Sequence, residues 1–495
     1  MRDWVAKWAI YSPNKIAIKE FESQKTITYR ALDQRANQMA HYLAATYQIG
    51  HGDRVAVLAM NCIEYIVLFA AAQKNGMILV PLNYRLASAE IQYLINTADP
   101  KLLIIASDFQ EASANIPDID HLMQISLSDL NLAINPFSKK AFKGPKIQEE
   151  DPIFLLFTSG TTGFPKGAIY THKMLFWNSI NTAMSLLINT ESRTINCMPP
   201  FHTGGWNVLL TPFLHHGGYT CLMQKFDADA VLSLMETEHP TLFMGVPTML
   251  KMIAAENAFE RSDLSSLNYI IVGGEPMPIP LIERWHQKGV YIRQGFGMTE
   301  VGPNLTSLHQ EDAIRKKGSI GRPNFYVETK IVDPKGQPVP ANVPGELLFK
   351  SPVVTPGYWR DSQATTKTIQ AGWFHSGDMA KQDEEGYLYI VDRIKNMFIS
   401  GGENVYPAEI ERVLATHQDI NSVVVIPMPD SKWGEVGHAI IVAQSGVSIS
   451  ETEILAYCQG KLAKFKIPKR ISFVKELPVS ATGKINRKQL AAEYS

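Results

Sequence analysis

One stretch of the chain, Thr158–Gly167, combines the residue types that bind phosphate. It contains three glycines, four hydroxyl side chains and one cation, Lys166. Glycines let a backbone approach a ligand closely, and exposed N–H groups, hydroxyls and a cation together hold phosphate oxygens. An ordinary Gly/Thr-rich hairpin is the alternative, but such a hairpin would not need the lysine. We therefore predict a phosphate-binding loop here.

The loop is not a Walker A motif. Two residues separate Lys166 from the preceding glycine, and Gly167 stands where Walker A has serine or threonine. A Walker loop also opens directly into a helix, whereas Ala168–Tyr170 has the pattern of a strand, and a helix is expected only from Thr171. Because the apolar run 153–157 precedes the loop, the sequence predicts a turn between two strands.

Composition limits the class of protein. The 495 residues predict two or more domains, with 45% apolar and 19% charged residues. A net charge of −1 gives no reason to expect a nucleic-acid partner. The four cysteines are far apart and have no metal or redox spacing, so a reducing compartment is expected; they are Cys62, Cys197, Cys221 and Cys458.

No targeting or membrane signal is apparent. The residues after Met1 lack the apolar core of a signal peptide. No apolar run approaches the roughly 18 residues that a membrane span needs. We therefore expect a cytoplasmic protein without an integral membrane segment, and leave peripheral membrane contact and a homodimer open.

Helix and strand patterns alternate along most of the chain. Helical spacing marks 29–47, 62–74, 89–97 and 171–187, and strand patterns mark 54–60, 77–81, 101–107, 194–198, 242–246 and 269–272. This alternation predicts parallel βαβ units, with Ser88 as a helix cap and residues 108–150 as a polar surface connection. Short strands and Gly/Pro turns then predict an antiparallel β subdomain from Gly318 to about Val391.

The last hundred residues resemble a small α+β domain. Pro407 fits the first turn of a helix to Thr416, and Ser450 with Glu453 forms a capping box. Residues 461–488 carry nine Lys/Arg against one Glu, which favours a surface for phosphate-bearing ligands over a merely solvated face. The expected fold class is α/β: a large N-terminal domain of stacked sheets with a β subdomain, and a small C-terminal domain.

Five further stretches carry polar residues after strands or turns. Each motif alone is weak evidence; Gly295-x-Gly297, for instance, is not the dinucleotide fingerprint, because Glu300 replaces the third glycine. The first three stretches are Pro200-Phe-His-Thr-Gly-Gly-Trp206, Gly273-Gly-Glu-Pro276 and Gln294-Gly-Phe-Gly-Met-Thr-Glu300. The fourth consists of three segments, Trp373-Phe-His-Ser-Gly-Asp378, Asp392-Arg-Ile-Lys395 and Ser400-Gly-Gly-Glu-Asn404. The fifth is Pro478-Val-Ser-Ala-Thr-Gly-Lys484.

In this order, over nearly the whole chain, the motifs resemble the adenylate-forming superfamily of acyl-CoA synthetases, aryl-CoA ligases, luciferases and adenylation domains. The segment Ile399–Glu411 is most similar to the fatty acyl-CoA synthetases. The resemblance implies two steps: a carboxylic acid and ATP form an acyl-AMP with release of pyrophosphate, and the thiol of CoA then displaces AMP. ATP, Mg²⁺ and CoA are thus the implied cofactor and co-substrates.

The resemblance also implies roles for individual residues. Phosphates would be bound by Thr158, Ser159, Gly160, Thr161, Thr162, Gly163, Lys166 and Thr299, and Mg²⁺ by Glu300. The adenosine would be bound by Gly273, Gly274, Glu275, Gly295, Phe296, Gly297, Asp378 and Arg393, with Phe296 against the base and Asp378 on the ribose. Lys484 would bridge the substrate carboxylate and the α-phosphate. A core aromatic at Phe296 and a turn residue at Asp378 are the structural alternatives.

The acyl and CoA sites are implied by three positions. His202 replaces the aspartate that pairs with an amino-acid substrate, Trp206 resembles an acyl-tunnel gate or a core tryptophan, and Gly401–Glu403 would lie in the CoA tunnel. No Arg or Lys occurs in 200–205, 244–247 or 295–299, which argues weakly against a dicarboxylate. His202 and Thr299 are included with Glu300 and Lys484 among the catalytic candidates.

The sequence therefore predicts a CoA synthetase for a medium- or long-chain fatty acid. Residues 1–394 would bind ATP and the acyl group, and residues 395–495 would move about a hinge at Lys395. An aryl-CoA ligase of the hydroxycinnamate or benzoate type is the alternative within the superfamily. A nucleotide-binding homologue without turnover is the alternative outside it, and the intact charged positions disfavour it.

Overall fold

The computed structural model describes residues 3–158, 165–400, 403–431, 433–459, 461–479 and 485–494. In this part of the chain, four sheets and the helices on them form an α/β architecture, as predicted. None of the described helices combines the length and apolar character needed to span a bilayer.

The first sheet has six strands in the order β6-β5-β3-β4-β7-β8, parallel except for the β7–β8 pair. The elements up to its last strand are α1 (Trp4–Tyr11), β1 (Ile16–Glu20), β2 (Thr26–Thr28), α2 (Tyr29–Tyr47), β3 (Arg54–Leu58), α3 (Ile63–Asn75), β4 (Ile78–Pro81), α4 (Ser88–Ala98), β5 (Leu102–Ile105), α5 (Gln110–Ser113), β6 (Met123–Ser126), α6 (Leu127–Ala133), β7 (Pro152–Thr158) and β8 (Lys166–Thr171).

The second sheet has nine strands in the order β15-β14-β13-β12-β11-β9-β10-β1-β2, parallel from β13 to β1 and antiparallel at both ends. Its remaining elements are α7 (His172–Leu186), β9 (Arg193–Asn196), a π-helical turn (Gly204–Val208), α8 (Leu210–His216), β10 (Tyr219–Leu222), α9 (Ala228–Thr237), β11 (Leu242–Gly245), α10 (Pro247–Ala255), β12 (Tyr269–Val272), α11 (Ile279–Gln287), β13 (Tyr291–Met298), a 3₁₀ turn (Thr299–Val301), β14 (Gly302–Ser307) and β15 (Arg322–Pro323).

The third sheet is the predicted antiparallel β subdomain, and the fourth belongs to the last hundred residues. The third contains β16 (Glu328–Val332), β17 (Gly345–Lys350), β18 (Ile369–Gln370), β19 (Trp373–Gln382) and β20 (Leu388–Arg393), with α12 (Ser362–Thr368) inserted. The fourth contains β21 (Phe398–Ser400), β22 (Glu403–Val405), β23 (Ile420–Asp430), β24 (Gly434–Ala443) and β25 (Arg470–Phe473), with α13 (Pro407–Leu414), α14 (Glu451–Cys458) and α15 (Arg487–Tyr494).

A large hydrophobic core lies between the first two sheets. It joins β4 and β7 of the first sheet to β1 and β10 of the second through helices α2 and α3, with Trp206 among its buried members. Separate apolar clusters fill the last hundred residues, built from residues 398–490 alone. This separation favours the predicted boundary near residue 394, which stays a prediction.

Two local predictions are wrong. The segment 108–150 is not merely a surface connection, because it contributes β6 as an edge strand parallel to β5, followed by α6. Ser88 does not cap its helix, since it is the first helical residue after Ala87, whose N–H donates to a Glu90 carboxylate oxygen at 2.9 Å. The capping box of Ser450 and Glu453 is confirmed.

Candidate active site

The ends of the predicted phosphate loop are held by an antiparallel strand pair. Thr158 at the end of β7 pairs with Lys166 at the start of β8, which confirms the strand-to-strand turn and separates it from a Walker A loop. Between them, Ser159, Gly160, Thr161, Thr162 and Gly163 lie outside the described residues. Their assigned phosphate contacts therefore stay predictions.

Glu300 lies beside the first residue of this loop. Its carboxylate is buried and accepts from the Tyr358 hydroxyl at 3.0 Å and from the Thr158 hydroxyl at 3.4 Å. The backbone is also fixed, because Thr355 N–H donates to the Glu300 carbonyl at 2.7 Å. Burial and the nearby Glu300 charge raise the pKa of Tyr358, so this phenol stays protonated and donates. Thr299 precedes Glu300 at the start of the 3₁₀ turn.

Lys166 approaches the same tyrosine. Its Nζ lies 5.5 Å from the centroid of the Tyr358 ring and 3.7 Å from an Asp361 carboxylate oxygen. Thr158, Lys166 and Glu300 thus converge around Tyr358, although Lys166 and Glu300 are 134 residues apart in sequence. A cation and a carboxylate close to one loop can hold a polyphosphate with its metal.

The donor set fits Mg²⁺ held mainly by a substrate. Within the described residues, no group of three or more His, Cys, Asp or Glu side chains could hold a metal ion. Mg²⁺ commonly binds through one or two carboxylates, substrate phosphates and water rather than through an all-protein cage. A single buried carboxylate, Glu300, between hydroxyl groups is consistent with that mode.

Asp378 and Arg393 form the predicted ribose-binding pair. They face each other across β19 and β20, and Arg393 Nε lies 2.6 Å from Asp378 Oδ1. The Asp378 side chain is 4% exposed and the Arg393 side chain 41%, so the guanidinium faces outward from a buried carboxylate. Lys395 lies in the next turn, where burial and the Arg393 charge lower its pKa and the Asp378 charge opposes the shift.

The two glycine motifs assigned to adenosine lie side by side. β12 and β13 are parallel neighbours, and a side chain at Gly273 would reach within 3.5 Å of the Gly295 carbonyl oxygen. At Gly297 a Cβ atom would lie 2.2 Å from Pro303 carbonyl atoms, so a glycine is required there. Phe296 is half-buried and stacks on Phe349 at 5.7 Å, which shows a core contact and leaves adenine stacking a prediction.

The C-terminal residues approach this edge. Lys484, Gly401 and Gly402 lie outside the described residues, so their roles stay predictions. Burial lowers the pKa of Arg487, but the nearby carboxylates of Glu411, Asp392 and Glu275 raise it overall. Arg487, at the start of the helix that follows the predicted adenylation lysine, is therefore within electrostatic range of Glu275 of the adenosine motif. Glu403 is exposed at the start of β22.

The predicted acyl motif forms an irregular turn. His202 is half-buried beside Phe201, with ring centroids 4.6 Å apart. Trp206 is 1% exposed, its indole N–H donates to the Pro200 carbonyl at 2.7 Å, and its ring contacts Tyr65, Phe69 and Phe154. In this arrangement Trp206 is a core residue, as the alternative interpretation expected. A gating role stays untested.

Two residues near the site were missed by sequence reasoning. Tyr358 follows a glycine and precedes a tryptophan, a pattern with no chemical signal of its own. Arg85 lies over the Phe201 ring at 5.7 Å, which brings a cation to the acyl motif although the motif itself contains none. The absence of Arg and Lys from the three motif segments, used as a weak argument against a dicarboxylate, therefore does not extend to the residues around them.

The geometry and the order of these motifs agree with comparisons to known proteins. Residues 5–359 match the family model of the AMP-binding enzyme, and residues 409–484 match the model of the AMP-binding enzyme C-terminal domain. The chain belongs to the AMP-binding enzyme family. The resemblance inferred from the motifs is confirmed.

Relatives of this AMP-binding enzyme are CoA ligases. A feruloyl-CoA synthase of Amycolatopsis sp is 36% identical over 493 residues, which cover 99% of this chain and 98% of the relative. A long-chain-fatty-acid–CoA ligase of Mycobacterium tuberculosis is 35% identical, covering 98% and 97%. The o-succinylbenzoate CoA synthetase of Bacillus subtilis, solved with its acyl-adenylate intermediate, has a TM-score of 0.90 at 31% identity, covering 99% and 97%. The predicted enzyme class, an AMP-forming acid–thiol ligase, is confirmed.

Proposed function

We propose that this enzyme is an ATP-dependent CoA ligase for a medium- or long-chain fatty acid. The observation that supports an apolar acid most directly lies at Gly204 in the acyl motif. A Cβ atom there would lie 3.6 Å from the Met198 methyl and 3.9 Å from the Met244 methyl, so the glycine leaves space against flexible apolar side chains. Methionines adapt to irregular apolar ligands.

The residues present fit the activation of a carboxylate. A carboxylate is a poor acyl donor because its leaving group would be oxide. Attack of the carboxylate on the α-phosphate of ATP releases pyrophosphate and gives an acyl-AMP, in which AMP is a better leaving group. Negative charge develops on the phosphate during this step, so preorganised positive charge lowers its barrier. Lys166 would hold the departing phosphates, Lys484 the α-phosphate and the acid, and Glu300 a Mg²⁺ ion, which supplies charge neutralisation when bound.

The second step requires Lys484 to leave the carbonyl. The thiol of CoA must reach the same carbon from which AMP departs, so one arrangement cannot serve both steps. The 3₁₀ turn Ile394–Asn396 joins β20 of the β subdomain to β21 of the C-terminal sheet, at the boundary predicted near residue 394. A hinge at Lys395 would let residues 395–495 present Lys484 and then Gly401–Glu403.

An aryl acid is the second candidate, and one feature favours it. Aromatic rings continue outward from the acyl motif: Tyr84 contacts Phe201 at 5.0 Å and stacks on Phe109 at 5.0 Å. Such a row of rings suits a flat hydroxycinnamate or benzoate as well as an alkyl chain. Arg85 beside this row would also accept an acid with a second polar end.

A substrate panel distinguishes the candidates. The enzyme with ATP and Mg²⁺ is assayed for pyrophosphate release and CoA thioester formation with acids from acetate to palmitate and with coumarate, and kcat/KM is compared. The proposal expects the highest value for an acid of eight or more carbons, by about tenfold over acetate and coumarate. A maximum at coumarate supports the aryl alternative, and ATP binding without pyrophosphate release from any acid supports the binding protein without turnover.

A further inference from the structure

The turn that carries the acyl motif is followed by a proline in a helix. After the π-helical turn Gly204–Val208, α8 contains Pro212 as its third residue. In a continuous α-helix the N–H of residue 212 would donate to the Val208 carbonyl, and in a π-helix to the Asn207 carbonyl. Proline has no N–H, so neither carbonyl receives this bond. Asn207 and Val208 are buried, where an unpaired carbonyl is costly.

Two asparagine side chains from other elements supply the missing donors. Asn178 Nδ2 of α7 donates to the Asn207 carbonyl at 2.6 Å. Asn304 Nδ2 of β14 donates to the Val208 carbonyl at 3.2 Å and lies 3.4 Å from the Asn207 carbonyl. Thr182 orients the Asn304 amide, because its hydroxyl accepts from Asn304 Nδ2 at 2.7 Å and is itself fixed by donating to the backbone carbonyl of Asn178 at 2.7 Å.

The same amides connect the acyl motif to the nucleotide motif. Asn304 lies on β14, which begins directly after the turn that contains Glu300. Asn178 Oδ1 lies 3.2 Å from the position of a Cβ atom at Gly302, the first residue of that strand, where φ is +76°. A displaced π-helical turn would therefore move the wall at Gly204 relative to Glu300 and the nucleotide.

We propose that Asn178 and Asn304 are positioning residues for the acid substrate, which hold the π-helical turn and thereby set the shape of the acyl pocket. The inference rests on the proposed function in one respect: the acid must bind beside His202 and Gly204. It does not depend on whether that acid is alkyl or aryl. The side-chain amides of these asparagines donate to backbone carbonyls of the turn, so the role proposed for them is exerted through the turn that they hold.

Single substitutions test this role. Asn304→Ala and Asn178→Ala are expected to raise the KM for the acid about tenfold or more, because a misplaced pocket wall weakens orientation of the substrate. The KM for ATP should stay within about twofold, and the ratio of kcat/KM values across the acid panel should change. The acid that wild type turns over best serves as the reference, so the test remains valid if the fatty acyl assignment fails.

Gln38 provides a matched control. Its buried Nε2 also donates to backbone carbonyls, but it lies on α2 and its partners, Ile134, Asn135 and Phe137, belong to neither motif. Gln38→Ala should lower Tm as the asparagine variants do and leave the acid KM and the selectivity ratio unchanged. Equal effects of all three variants on acid KM, or asparagine variants with wild-type acid KM and selectivity, would overturn the proposal.

A rescue experiment isolates the carbonyl contact. Pro212→Ala returns an N–H that can donate to the Val208 or Asn207 carbonyl. In this background the acid KM should rise at least threefold less on Asn304→Ala than it does with Pro212 present, as a double-mutant cycle measures. If Asn304→Ala does not fold, Asn304→Ser replaces it in both backgrounds. An undiminished effect in the Pro212→Ala background contradicts the assignment.

Discussion

The carboxylate of Asp378 is buried against Arg393, with 2.6 Å between Oδ1 and Nε. If this pair binds the ribose, Asp378→Ala should raise the KM for ATP and leave the KM for the acid nearly unchanged, because the acyl motif follows β9 of a different sheet. Each hydrogen bond to a charged group contributes about 1.5–3 kcal/mol, so one lost ribose contact corresponds to about a tenfold or larger increase.

The measurement is initial rate against ATP concentration at saturating acid, with Tm recorded in parallel. Ser376→Ala is a suitable comparison, because the Ser376 hydroxyl supports the same segment of β19 by accepting from Asp378 N–H at 3.0 Å, and its removal leaves the carboxylate in place. An ATP dependence that Asp378→Ala leaves at the wild-type value would assign Asp378 a structural role in β19 and its ion pair with Arg393 alone.

Lys484 permits a separate prediction at this scale. Lys484→Ala should abolish acyl-adenylate formation and spare thioester formation from supplied acyl-AMP, because the lysine acts on the α-phosphate only in the first step. Loss of such a charge-assisted contact to the transition state typically costs about 10²–10³ in rate. Pyrophosphate release and thioester formation are measured separately, and equal losses in the two half-reactions would contradict this role.

The sequence predicted Thr158, Lys166 and Glu300, which the structure brings together, and missed residues that reach this place from elsewhere in the fold. Thr158, Lys166 and Glu300 were recognisable because glycine, hydroxyl and charged residues cluster in short motifs. Tyr358 and Arg85 reach the site through contacts made across the fold, Tyr358 to Glu300 and Lys166, and Arg85 to the Phe201 ring. Such contacts depend on tertiary packing, which local residue patterns do not encode.

Element patterns were predicted best where burial is strong and periodic. α2 begins and ends at the predicted residues, because its apolar positions recur on one face against a buried core. β6 was missed because Met123 and Gln124 are exposed on this edge strand, so no buried alternation marks it. The cap at Ser88 was misplaced by one residue, since Glu90 can satisfy the Ala87 N–H without a hydroxyl cap.

The turn Ile394–Asn396 is the element on which the proposed alternation depends. Hinges absorb large φ/ψ changes at the ends of elements, and proline would fix φ near −65° and remove the N–H. Lys395→Pro should therefore keep the acid-dependent adenylation burst and lose most thioester formation. A burst assay followed by CoA addition measures both steps in one experiment.

Two hydrogen bonds join the elements on either side of this turn. Asp392 Oδ2 on β20 accepts from Ala408 N–H of α13 at 2.8 Å, and Arg412 donates to the Val391 carbonyl at 3.3 Å. A rotation about Lys395 must break both bonds. Fixing the turn with proline should therefore preserve these bonds and the half-reaction that this one arrangement serves. Wild-type thioester production by Lys395→Pro would refute alternation at this residue, and loss of both steps would assign the turn to folding or to Arg393.

At the scale of the whole molecule, the N-terminal helix α1 packs against α8, which lies far along the chain. The Trp4 ring stacks on His215 with centroids 4.0 Å apart, Trp8 Nε1 donates to the His215 carbonyl at 2.8 Å, and His215 Nδ1 lies 2.8 Å from the Ser179 hydroxyl. Burial, with a smaller contribution from the neighbouring His216, lowers the pKa of His215 to about 3. The imidazole is therefore neutral in the folded protein at physiological pH.

This burial predicts an acid-sensitive contact between the N-terminus and the core. Between pH 6.5 and 3 the unfolded chain binds a proton at His215 and the folded chain does not. The free energy of unfolding therefore decreases by up to about 1.4 kcal/mol for each unit by which the pH is lowered in this range. Above pH 6.5 this histidine contributes no pH dependence. His215→Asn can keep a hydrogen bond to Ser179 without titrating. When the pH is lowered from 8 to 5, its free energy of unfolding should decrease by about 2 kcal/mol less than that of the wild type. Urea unfolding followed by tryptophan fluorescence measures the difference, and parallel pH profiles for the two proteins would show that His215 is protonated without cost to the fold.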